Sequence, residues 1–170
     1  MSLNLSDIVV PTFVGGLGTL QTVLDHAAKY AEAEALEASA LLDARLYGDM
    51  FSFTQQVQAA TDTARRVTER LMNVEPSSQP DPQSSFEALG ARVAQTLEQV
   101  QRADRAAIDA RLDETFTVNL GQEMSFTGRS YALTFAVPNF LFHVSMAYGI
   151  MRHKGVALGK VDYIAPFMRA

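Results

Sequence analysis

The chain has 170 residues, 48% hydrophobic and 19% charged, enough for one domain with a sizeable core and too few for two, so residues 1–170 are read as a single domain. Fourteen Lys and Arg against nineteen Asp and Glu leave a net charge of -5, which removes any general attraction to phosphate backbones or anionic lipid and argues against nucleic acid as a partner. The absence of cysteine excludes disulfides, zinc ribbons, iron–sulfur ligation and thiol nucleophiles.

The opening stretch, Met1 to Asp7, has no basic segment and no long apolar run ending in a small-residue cleavage site, so a cytoplasmic location is expected. Pro11 suits the first turn of a helix, and Phe13, Leu17, Leu20, Leu24, Ala27 and Ala31 follow at spacings of four and three, which marks one apolar face. A short helical connection over residues 38–46 and a turn at Gly48-Asp49 lead to a second helix, where Phe53, Val57, Ala60, Ala64, Val67 and Leu71 repeat the pattern. Glu75 to Ser85 contains three prolines and is read as a connector within the domain. Ser84-x-x-Glu87 then has the spacing of a capping box, ahead of a third helix with Phe86, Leu89, Val93, Leu97 and Val100 on one face.

Between Thr115 and Thr127 the period changes to two. A hairpin with Leu120-Gly121-Gln122 as its loop places Phe116 opposite Phe126 and Val118 opposite Met124, giving a ribbon with one apolar side. From Ser130 to Met151 there is no charged residue. Thr134, Pro138, Asn139, His143 and Ser145 interrupt that run, so it is read as the most buried helix of a bundle and not as a membrane span. Pro138 either starts the last helix or kinks a longer one that begins near Arg129, and the kink is the expectation; Arg152, His153, Lys154 and Gly155 supply the C-terminal charge and cap. The fold class is therefore all-α: a four-helix bundle with a small β-hairpin inserted before the last helix.

Asn139 and His143 lie four apart in the uncharged helix, on one face and about a turn from each other. A buried amide and a buried imidazole need polar partners, since leaving either unsatisfied costs about 1–3 kcal/mol. The second helix offers Gln55, Gln56, Gln58 and Asp62, of which Gln56 is the easiest to turn inward. Two readings follow: a hydrogen-bonded core cluster, or a pocket between helices for a metal or small molecule. His26, beside Asp25, reads as a surface histidine, and His153 as a helix-end cation. Gly15-Gly16-Leu17-Gly18 lacks the spacing of a phosphate loop and suggests close helix approach, either within the chain or in a homodimer. Ser145 is two residues from His143, so the two do not face each other, and Asp104, Asp109, Asp113 and Glu114 read as a solvated face.

The run Pro138-Asn139-Phe140-Leu141-Phe142-His143, followed by Ala147-Tyr148-Gly149-Ile150-Met151-Arg152-His153-Lys154-Gly155-Val156, resembles the last helix of DinB-like four-helix-bundle proteins. Asp7-Ile8, Val10-Pro11, Arg45-Leu46, Asp49-Met50-Phe51, Gln56-Val57-Gln58, Phe126-Thr127-Gly128 and Leu158-Gly159-Lys160 extend the likeness to the bacterial branch of that superfamily catalogued as a domain of unknown function. The resemblance implies a divalent metal held by three histidines, one from the second helix and an H-x-x-x-H pair from the last. His143 stands at the second place of that pair and Asn139 at the first, while the second helix has no histidine. A Gln/Asn/His set would hold zinc or nickel weakly, so no cofactor is assigned beyond a weakly bound divalent metal with His143 as its candidate ligand. The expected function is a small-molecule binding or interaction module with a degenerate metal site around His143, Asn139 and Gln56. The alternative is a metal-assisted, thiol-dependent transferase, in which His143 could also serve as a general base.

Overall fold

The computed structural model describes residues 4–80 and 84–170; Asp81 to Gln83, part of the expected proline-rich connector, lie outside the described residues. Four long helices, α1 (Leu5–Ala33), α3 (Phe53–Leu71), α4 (Phe86–Gln101) and α7 (Val137–His153), form the bundle. Short helices α2 (Ser39–Leu42), α5 (Arg105–Ala110), α6 (Gly128–Tyr131) and α8 (Lys160–Ile164) join or close them. Helix α1 packs chiefly on α4 and α7, and α3 packs on the same two, so the order around the bundle is α1, α4, α3, α7.

The period of the second predicted helix reappears in α3, where Phe53, Val57, Ala60, Ala64, Val67 and Leu71 are all buried. Helix α1 starts six residues earlier than Pro11 suggests, so the proline lies inside it. Leu5, Val9, Val10 and Phe13 are all buried, and burial of that stripe carries the helix through a residue that supplies no backbone donor. The cap of α4 is Ser85, whose hydroxyl accepts from Ala88 N–H at 3.1 Å; Ser84 instead bonds Thr54 Oγ1 at 2.8 Å. The hairpin, β1 (Thr115–Asn119) and β2 (Glu123–Thr127), pairs Phe116 with Phe126 and Val118 with Met124. Gly121 takes φ +92° at its tip, a conformation that glycine adopts without strain. The rings of Phe116 and Phe126 pack on Tyr131 at centroid distances of 5.4 and 5.6 Å, which fixes the ribbon to the bundle.

Residues Gly128 to His153 are helical throughout, with a π turn over Ala132–Ala136. Val137 N–H reaches back to Ala132 O, five residues earlier, and Pro138 has no N–H to offer Thr134. The helix is thus continuous through Pro138, and its ladder is irregular in the turn around Thr134. This helix is not the most buried one. Leu133 and Phe142 are 46% and 50% exposed, while α1 buries roughly every residue of its apolar stripe. Leu5–Ala33 and Gly128–His153 are long and apolar enough to cross a membrane by length and composition; here both are walls of the same core.

The glycines of α1 are occupied by the chain's own residues. A Cβ on Gly16 would lie 2.3 Å from the Phe140 ring, one on Gly15 2.4 Å from Phe167, and one on Gly18 2.9 Å from Pro166. The small residues therefore admit α7 and the C-terminal turn within the chain. His26 is not a free surface residue either, since its Nδ1 is 3.0 Å from Ala157 O. Asp109 accepts from Ser6 N–H and Oγ at 2.8 and 3.0 Å, tying α5 to the start of α1, and Asp104 caps α5. Ser145 Oγ meets Tyr163 Oη at 3.0 Å.

Candidate functional site

The polar residues of interest lie along the seam between α3 and α7. His143 is half-buried, and its Nδ1 is 2.8 Å from Oε1 of the buried Gln56. With a carbonyl oxygen facing it, Nδ1 carries the proton, so Nε2 holds the free lone pair of the neutral ring. Burial pushes the imidazole below its ordinary value of 6.5, which keeps the ring neutral at neutral pH. Among the described residues Nε2 has no hydrogen-bond partner, and it is not sealed from solvent. Phe51 lies parallel to the ring at 6.1 Å and Phe142 edge-on at 5.4 Å, and both phenyl groups are half exposed. The seam therefore presents one oriented, neutral imidazole beside two partly solvated aromatic rings.

Asn139 makes a separate contact. Thr63 Oγ1 donates to Ala59 O at 2.8 Å, so it must accept from Asn139 Nδ2, 2.9 Å away. Gln56 and Thr63 are seven residues apart on α3, two turns along one face, whereas Asn139 and His143 are one turn apart on α7. The two α7 side chains are thus drawn to separate points on α3. Gln55 accepts from Ser52 N–H at 2.9 Å at the start of α3. Asp62 is held by Arg65 at 3.0 Å and Arg92 at 2.8 Å. Of the four polar partners expected on the second helix, Gln56 is the one that meets His143.

This donor set does not fit the metal that the family resemblance implies. There is a single imidazole, its Nδ1 is engaged by Gln56, and the Asn139 amide is engaged by Thr63. Among the described residues no three His, Cys, Asp or Glu side chains converge as ligands.

Asn139 also lines a cleft of about 200 Å³ between the hairpin, α3 and the π turn, with Asp62, Thr63, Arg66, Val67, Arg70, Val118, Asn119, Leu120, Tyr131 and Phe135; His143 does not line it. Arg70 donates to Tyr131 Oη at 3.0 Å. Burial raises the Tyr131 phenol, opposed by the Arg70 charge and hydrogen bond, with the net shift upward, so it is a neutral hydroxyl. The sequence reading missed Thr63, Arg66, Arg70 and Tyr131. The available signal was the i, i+4 spacing of Arg66 and Arg70, which puts two cations on one face of the second helix.

Bundle order, inserted hairpin and interrupted last helix define a DinB-like four-helix bundle. The crystal structure of a DinB family member protein from Shewanella denitrificans is similar to it, with a TM-score of 0.85 and 32% sequence identity over 94% of this chain and 91% of that one. The chain belongs to the family described as domain of unknown function DUF1993, whose model matches residues 5–164. No curated protein matches it.

Proposed function

We propose that the protein is a small-molecule-binding module whose α3–α7 seam works without a resident metal. The 2.8 Å contact between His143 Nδ1 and Gln56 Oε1 carries this reading. It fixes the tautomer and leaves Nε2 as a hydrogen-bond acceptor on a ring that has Phe51 and Phe142 as aromatic neighbours, an arrangement that suits a ligand with an aromatic ring and an O–H or N–H donor. The rings supply stacking area and the imidazole supplies orientation.

The test combines elemental analysis of protein purified without an affinity tag with an NMR titration by phenol, the simplest molecule with those two features. The expected result is no stoichiometric zinc or nickel, together with a saturable shift of the His143 imidazole signals that is lost in Phe51→Ala. Stoichiometric metal with thiol-dependent turnover that disappears in His143→Ala would overturn the reading in favour of a metal-assisted transferase.

A further inference from the structure

Four arginines among the described residues are buried or half-buried: Arg65, Arg70, Arg92 and Arg111. Arg65 pairs with Asp62 and Glu69, Arg92 with Asp62, and Arg111 with Glu114. Arg70 has no carboxylate partner among the described residues, and its side chain makes one hydrogen bond, to the neutral Tyr131 hydroxyl. In a chain with an excess of acidic residues, a half-buried guanidinium left without a counter-charge stands out, because withdrawing such a charge from water costs free energy unless it is paired.

The surroundings of Arg70 are those of a ligand cleft. Arg66, one turn away on α3, is 52% exposed and sits 4.0 Å from Asp62 Oδ2; the other oxygen of that carboxylate is shared by Arg65 and Arg92. The one acidic group on the wall is therefore neutralised from behind, and Arg66 and Arg70 leave the cleft positive. Asn139 keeps its second Nδ2–H, since Thr63 accepts only one, and Asn119 lines the hairpin side. Val67, Val118, Leu120 and Phe135 supply apolar wall. A volume of about 200 Å³ corresponds to roughly seven waters at about 30 Å³ each, room for a compact ligand.

We propose that this cleft binds a small monocarboxylate with an apolar body, its carboxylate on Arg70 and Arg66 and its body against the hairpin and the π turn. The planar guanidinium of Arg70 matches a carboxylate in a way an ammonium does not. The apolar walls favour an organic acid over a free inorganic anion. This site is separate from the His143 seam and does not depend on the reading given for it.

Amide NMR titrations with sodium benzoate, benzamide and inorganic phosphate test the proposal on the whole chain. Benzoate should produce saturable shifts at Asn119, Leu120 and Phe135, with benzamide and phosphate at least about tenfold weaker. Arg70→Gln should weaken benzoate at least about tenfold, and Arg66→Gln, at an exposed side chain that does not threaten folding, should weaken it by a smaller factor. Arg102→Gln, remote and exposed, should change nothing. Equal binding of benzamide and benzoate, shifts confined to the neighbourhood of Phe51 and His143, unchanged affinity in folded Arg66→Gln and Arg70→Gln, or no saturation with benzoate in the millimolar range would each overturn it.

Discussion

Gly16→Ala and Gly90→Ala make the same chemical change in the interior of two bundle helices, and the structure assigns them opposite outcomes. Both should gain helix propensity, about 1 kcal/mol for replacing glycine by alanine. At Gly90 nothing lies within 4 Å of the added Cβ, so the gain is kept and the variant should be stabilised by about 0.5–1 kcal/mol. At Gly16 the Cβ would lie 2.3 and 2.6 Å from two atoms of the Phe140 ring. That ring is fully buried and meets Phe13 edge-on at 4.8 Å, so it has no free space to retreat into. Overpacking a core in this way costs about 1–3 kcal/mol, which offsets or exceeds the propensity gain. The two variants should therefore differ by about 1–3 kcal/mol in urea denaturation, or about 2–12 °C in Tm at about 2–4 °C per kcal/mol for a chain of this size. Gly16→Ala as stable as Gly90→Ala would mean that α1 and α7 do not approach through this glycine.

Three further outcomes are expected. Asp62→Ala should cost about 3 kcal/mol, because Arg65 and Arg92 lose the carboxylate they share, whereas Asp113→Ala, which breaks an exposed pair with Arg129, should change stability by no more than about 0.5 kcal/mol; chemical denaturation of the two compares them directly. His143→Ala should destabilise by about 1–3 kcal/mol by stranding the buried Gln56 carbonyl, and a folded variant as stable as wild type would contradict that hydrogen bond. Stability should also depend on pH through this ring: the unfolded chain takes up the proton near 6.5 and the folded one only at lower pH, so the contribution is complete above about 6.5 and is lost as pH falls from there through the folded value. Thermal melts across that window should show a drop in wild type that is absent in His143→Gln.

The residues of α3 and the hairpin were legible in the sequence because each has one apolar face and one period, and burial of that face leaves a single register available. The start of α1 was not, since Pro11 is a strong local signal that four buried residues ahead of it override. The last helix shows the limit of composition: an uncharged run was read as burial, yet Leu133, Phe142 and the edge of His143 face outward. Gln56 was legible as a partner for His143 from its place beside the apolar seam of α3. Thr63 was not, because threonine in a helix is ordinarily spent on the preceding turn, and only the placement of α7 shows that its oxygen also accepts from Asn139. The Arg65, Arg92 and Asp62 cluster was hidden for a similar reason, since buried arginines look like surface arginines until their partners on another helix are known.

The π turn has a consequence for comparing this chain with its relatives. An α-helix advances about 100° per residue, and a π turn carries one residue more than the α-helical ladder would hold. Everything after Ala136, including Asn139 and His143, is therefore rotated about 100° relative to Gly128–Tyr131 from where an uninterrupted helix would put it. A relative lacking the bulge matches this chain on only one side of the π turn unless a one-residue gap is placed within residues 132–136. Removing a single residue there should straighten the ladder and leave Asn139 facing Thr63 and His143 facing Gln56, whereas forcing the same residues into a regular α-helix would swing both away, so the π turn sets the phase in which the two side chains meet α3.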